Sequence, residues 1–174
     1  MRIWHAFLGM MLLSLAATNA AAQKVTTDFD HAANFSQYHT FYWAQEPQMS
    51  NPLAKQRVME AINRDLTAKG WQLMQGSGDV AVVANGVTQE RQTLDTFYNG
   101  MPGWRWGFGG MAETTTQNYR VGTLVVDLLD AKSKQAIWRG TATDTLSDKP
   151  EKNDEKIDKS IDKMFKNFPP EEKH

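Results

Sequence analysis

The sequence contains no cysteine in its 174 residues. Disulfide staples and thiolate metal sites are excluded, and so is any lipid anchor attached through a cysteine. Histidine is almost as scarce. Of four, His5 lies in the extreme N-terminal stretch and His174 ends the chain, which leaves His31 and His39. A histidine-based metal centre or charge-relay triad is poorly supplied on that count. An excess of one charge sign is also missing, with 19 basic against 20 acidic side chains and a net charge of −1. That balance leaves no electrostatic footprint for nucleic acid. Beyond the N-terminal stretch, no apolar run reaches the roughly 20 residues of a membrane-spanning helix.

What the chain does have begins with MRIWHAFLGMMLLSLAATNAAAQ. Arg2 and His5 make a short basic end, and Phe7 to Ala17 is an apolar run of signal-peptide length. Ala20, Ala21 and Ala22 supply the small residues that a signal peptidase reads. The pattern predicts residues 1–22 as a signal peptide cleaved after Ala22, with residues 23–174 forming one domain. Removing 22 of 174 residues leaves 152, and only Arg2 is lost from the charged set, so the remainder is near −2. A periplasmic or secreted protein without a lipid anchor is the expectation. A domain of that size buries roughly 68–70% of its unfolded surface and folds without staples.

The stretch GTLVVDLLDAKSKQAIWRG, Gly122 to Gly140, reads as the organising β-hairpin. Leu124, Val126 and Leu128 alternate with Thr123, Val125, Asp127 and Leu129, a period of two with apolar residues on both faces. Such a strand belongs in the middle of a sheet. Asp130 to Lys134 is a polar turn, and Ala136, Ile137 and Trp138 resume the strand. Asp127 reads as a surface carboxylate or as the partner of Arg139 across the hairpin.

Upstream, Lys24 to Asp30 reads as a first strand and Phe35 to Ala44, rich in aromatics, as a second. Asn51 and Pro52 open a helix to Lys69, with Ala54, Val58, Ala61, Ile62 and Leu66 at helical spacing and Gly70 as its C-terminal cap. Trp71 to Met74 is a short extended piece. A third strand runs from about Asp79 to Thr93, where Gly86 suggests a bulge or bend. Downstream, Thr141 to Leu146 extends the hairpin, and Asp148 to Asp154 is polar. A last helix then presents Ile157, Ile161, Met164, Phe165 and Phe168 on one face until Pro169 and Pro170 end it. Glu155 with Lys159 and Asp162 with Lys166 are spaced for weak pairs on one face.

One segment is compositionally biased. Tyr98 to Met111, YNGMPGWRWGFGGM, holds five glycines and a proline, hence a loop, yet carries Tyr98, Trp104, Arg105, Trp106 and Phe108. Leaving two indoles wet forgoes on the order of 8–10 kcal/mol as an upper bound. The rings therefore fold back onto the sheet or meet a partner: a sugar, a lipid interface or another protein. The polar stretches Thr88 to Thr93 and Thr114 to Val121 match in character. Paired, they would form an exposed ribbon with this loop at its tip.

Several of these pieces recur together elsewhere. Val25, Asp28 and Asp30; Phe35, Tyr38, Thr40, Phe41 and Trp43; Asn51-Pro52; Leu66 and Lys69-Gly70; Asp79-Val80; Gly122 to Asp130; Trp138-Arg139-Gly140; and Phe168-Pro169-Pro170 follow in order. In that order the chain from about Lys24 to Pro170 resembles the bacterial envelope family known as domain of unknown function 4136. The resemblance implies an exported, often lipid-anchored, small α+β domain with no assigned catalytic residue. The absent cysteine sets this chain apart from the lipid-anchored members.

The predicted fold is α+β: a mainly antiparallel sheet with two helices packed on one face. The predicted role is a non-catalytic envelope module that contacts an envelope protein or glycan through the aromatic loop. That contact could extend to the membrane surface, and no cofactor or metal is called for. Two alternatives stay open. One is a hydrolase of envelope polymers using Asp28, Asp30 or Asp127, because a carboxylate pair suffices for glycoside hydrolysis when suitably spaced. The other is a structural subunit of an envelope assembly.

Overall fold

The computed structural model describes residues 23–98 and 112–170. The expected signal peptide lies outside the described residues, as do residues 99–111. Six strands, β1 (Lys24–Phe29), β2 (Thr40–Trp43), β3 (Gln72–Leu73), β4 (Val80–Tyr98), β5 (Ala112–Asp130) and β6 (Ala136–Thr145), form one sheet in the order β1-β6-β5-β4-β2-β3. Every pairing from β1 to β4 is antiparallel, whereas β2 runs parallel to both β4 and β3. The fold is α+β, as the sequence predicts. β5 occupies the middle of the sheet, with Leu124, Val126 and Leu128 buried under the helices and Val125 and Leu129 half-buried on the other face.

Helices α1 (Pro52–Ala68) and α2 (Pro150–Phe165) lie on the same face. Asn51 caps α1 by accepting from the Leu53 and Ala54 amides at 3.0 and 3.2 Å. Pro150 opens α2 at the first helical position, so this helix starts earlier than the polar run from Asp148 suggests. Residues 57, 64 and 69 of the α1 segment meet 154, 158, 162 and 166 of the α2 segment in ascending order, so the helices run parallel. Arg64 reaches Asp158 at 3.3 Å and Asp162 at 2.8 Å. Asp162 thus pairs across the helices rather than with Lys166, while the expected Glu155–Lys159 pair forms at 4.0 Å.

The pleat sends one set of side chains under the helices. Phe41, Val80, Val82, Leu124, Val126 and Leu128 are buried there against Val58, Ile62, Leu66, Ile161, Met164 and Phe165. Trp138 stacks on Phe165 with ring centroids 4.8 Å apart. Phe168, just past α2, meets Phe35, Trp71, Trp138 and Phe165 at 5.2–5.7 Å. A register shift between Leu128 and Leu129 leaves Ile137 as the extra residue on β6, so Ile137 and Trp138 are both buried. At Gly140 an added Cβ would lie 2.6 Å from the Trp138 ring and 2.9 Å from the Met164 sulfur. That glycine makes the space in which the ring lies flat.

Two details depart from the sequence reading. Phe35–Gln37 forms a single 3-10 turn capped by Asn34 rather than the start of a strand, and β2 begins only at Thr40. The turn lets Phe35 and Tyr38 both reach the core, which strict alternation would forbid. Gly86 causes no bulge, for the β4–β5 register runs without interruption from Val80↔Asp130 to Tyr98↔Ala112. The outer edge is blunted. In β1 the Phe29 amide donates to its neighbour Asp28 at 2.9 Å, so that donor is not offered to another strand.

Between the helices, Asp65 holds Arg64 Nε at 3.2 Å through Oδ1, while its Oδ2 is buried without a partner. Burial raises the Asp65 pKa, the nearby Asp162 carboxylate adds to this, and Arg64 only partly offsets it. A raised acid pKa means that the fold favours the protonated form. The favourable contribution is therefore present below the unfolded pKa and lost as pH rises through the folded one. Asp65→Asn should raise the thermal midpoint by a few degrees at pH 7, with the gain vanishing at acid pH. Phe165→Ala should cost about 3–5 kcal/mol in urea unfolding, through the loss of a fully buried ring.

Candidate functional site

β5 pairs with β6 only as far as Val121↔Thr145, but β4 and β5 continue together to Tyr98↔Ala112. The threonine-rich stretches are therefore a two-stranded ribbon, as their matched polarity suggests. From Arg91↔Tyr119 outward it is eight pairs long, roughly 25 Å at strand rise. Tyr98 ends β4, its backbone paired to Ala112. Trp104, Arg105, Trp106 and Phe108 lie outside the described residues.

The carboxylates weighed for hydrolysis lie elsewhere. Asp28 and Asp127 flank Arg139 in register across β1, β6 and β5, on the sheet face away from the helices. Arg139 grips Asp127 with two bonds, Nε at 2.6 Å and Nη2 at 2.9 Å, the cross-hairpin pair that the sequence suggests. Asp30 accepts from the Ala32 amide at 2.9 Å and closes the turn after β1. These three side chains are spent on an edge cap, an ion pair and a turn. Asp130, at the hairpin corner, accepts from the Lys132 and Ser133 amides at 2.9 and 2.6 Å and from the Tyr38 hydroxyl at 2.9 Å. Those bonds, the Ser133 amide foremost, hold its pKa below the usual value. Asp79 is lowered likewise, first by the His39 amide and then by the Thr40 hydroxyl, and it ties β2 to the start of β4.

A cleft of 320 Å³ opens where the ribbon leaves the sheet. The first turns of both helices form its two sides, contributing Asn51, Ala54 and Val58 from α1 and Asn153, Lys156 and Ile157 from α2. Its floor is a patch of small residues. Ala142, Leu124 and Gly86 share one row across β6, β5 and β4, and Asp144, Gly122 and Thr88 the next. Met49 overhangs Gly86 so closely that a Cβ there would sit 2.8 Å from its side chain, and Leu146 overhangs Gly122 at 2.9 Å. Lys156 bonds Asp144 at 3.2 Å and also donates to the Thr145 carbonyl; Arg120 at the rim holds Asp148 at 3.2 Å. The sequence reading missed this cleft. Its signal was the clustering of Gly86, Gly122 and Ala142 in two adjacent rows of the sheet, invisible until the strand register is known.

Among the described residues no group of three or more histidine, aspartate or glutamate side chains is placed to hold a metal ion. No helix among them is long and apolar enough to cross a membrane. The profile of the family described as Domain of unknown function (DUF4136) matches residues 25–170. The chain belongs to this family. No curated protein is similar to this DUF4136 chain by sequence. Among solved structures, a PDZ domain protein from Parabacteroides distasonis ATCC 8503 is similar over 87% of the chain, at 15% identity and a TM-score of 0.58. The chain spans 37% of that neighbour's length. The PelC dodecamer from Paraburkholderia phytofirmans is similar over 82% of this chain and 94% of its own, at 14% identity and a TM-score of 0.50. At such identities the likeness concerns the fold alone.

The lowered carboxylates give an acid sensitivity of definite sign. Their stabilisation is present above the unfolded pKa and is lost as pH falls through the folded one. Asp130→Asn should cost about 1 kcal/mol in urea unfolding at pH 7, and the cost should shrink as pH falls below the ordinary carboxylate range towards the lowered folded pKa.

Proposed function

We propose that this DUF4136 protein is an exported, non-catalytic module of the bacterial cell envelope. It binds an envelope protein or glycan through Tyr98, Trp104, Arg105, Trp106 and Phe108. The observation that supports this reading is the ribbon. Two strands, β4 and β5, run on past the sheet as a pair as far as Tyr98 and Ala112, beyond a core that Phe41, Trp71, Trp138, Phe165 and Phe168 already close. A glycine-spaced set of rings joined to such an arm suits stacking on a sugar or gripping a protein surface. The N-terminal 22 residues support export, and the absence of cysteine favours a protein without a lipid anchor.

A second reading is a subunit of a homo-oligomeric envelope assembly, drawing on the dodecamer formed by PelC with a similar fold. Light scattering after gel filtration separates the two, since a monomer at tens of micromolar removes the assembly. For the first reading, the double variant Trp104→Ala with Trp106→Ala should melt within a few degrees of wild type. It should also lose the envelope component captured by the wild-type protein after crosslinking in cells. Retained capture would remove the tip as the contact.

A further inference from the structure

The cleft at the base of the ribbon has the make-up of an amphiphile site. Its volume of 320 Å³ lies at the small end of ligand pockets. Protein interiors are otherwise closely packed, and here the small residues Ala54 and Ala142 leave a hollow, while Met49 and Leu146 occupy the space over Gly86 and Gly122. The deep part is apolar: Val58, Leu124, Ala142 and Ile157, with Met49 and Leu146 as overhanging lips. Met49 is flexible and polarisable, a side chain that adapts to whatever lies beneath it.

The mouth has a different character. The lining holds two cations, Arg120 and Lys156, against one carboxylate, Asp144. Asp144 and the Thr145 carbonyl fix Lys156 in place. Arg120 pairs with Asp148, whose side chain is 100% exposed, a surface pair of the weak kind that a better partner displaces, and Glu90 lies opposite it in register on β4. The parallel helices bring both N-terminal ends, the positive poles of their dipoles, to the same opening. α2 has no side-chain cap at Lys149. An apolar recess with Arg120, Lys156 and two helix N-termini at its mouth is complementary to one apolar tail whose negative head exchanges with the Asp148 carboxylate, and its volume suits one short chain rather than the two tails of a membrane lipid.

We propose that this cleft binds a medium-chain fatty acid, its tail over Leu124 between the Val58 and Ile157 sides and its carboxylate at Arg120 and Lys156. Arginine offers a carboxylate two parallel bonds, so the head is held in orientation as well as by charge. The site is separate from the ribbon tip and does not depend on what the tip contacts.

The test is displacement of a dansyl-labelled undecanoic acid from the full exported chain. Decanoate should displace the label, and decanol, of the same length without charge, should need about tenfold more. Arg120→Gln, a change at an exposed side chain, should weaken decanoate by about tenfold and leave decanol unaffected. Ala54→Phe, filling the recess from the first turn of α1, should abolish displacement by either. Melting followed by circular dichroism checks that this variant is folded; if it is not, Arg120→Gln and the acid–alcohol comparison decide alone. No displacement by decanoate, equal displacement by decanol, or a folded Ala54→Phe that still binds would each overturn the proposal.

Discussion

The meeting of Phe168 with Phe35, Trp71, Trp138 and Phe165 is the contact on which the remaining architecture rests. It joins the turn before β2, the strand entry after α1, the hairpin strand β6 and both ends of the last helical turn. Edge-on aromatic pairs of this sort contribute about 0.5–1.5 kcal/mol each beyond their buried area. Because the rings come from four separate parts of the chain, none of those parts can shift without opening the others. The Trp138–Phe165 stack extends the same cluster along the sheet, over the space vacated at Gly140.

The two parallel helices turn this into a gradient. At their C-terminal ends the layer between helix and sheet is filled by large rings. At their N-terminal ends the sheet offers Gly86, Gly122 and Ala142, and no aromatic ring lines the cleft there. Arg64, bridging from α1 to Asp158 and Asp162, helps keep the pair at a set spacing along its length. The cleft lies at that ring-free end, and it coincides with the place where β4 and β5 lose β6 and become a ribbon.

Much of this was legible from residue patterns because period and chemistry coincided. The alternation of Leu124, Val126 and Leu128, the Asn51-Pro52 helix start and the Ile161–Met164–Phe165 stripe each had one low-energy solution. The Asp127–Arg139 pair followed from hairpin register alone. What escaped was whatever depends on contacts between distant segments. Phe35 to Gln37 looks like part of an aromatic strand, but burying both Phe35 and Tyr38 requires a turn. Asp162 has a partner at local helical spacing in Lys166, yet Arg64 on the other helix offers a shorter bond. Gly86 carried the usual mark of a strand irregularity, and only the position of Met49 shows that it is a packing site. The cleft escaped for the same reason, since its walls come from five elements whose juxtaposition depends on the strand register and the helix packing.

The Asp28 carboxylate has a bearing beyond its own strand. By taking up the Phe29 amide it removes a free donor from the border of a six-stranded sheet whose outermost member is otherwise open. Strand-to-strand pairing between separate copies would start from such a border, and this carboxylate leaves it one backbone donor fewer.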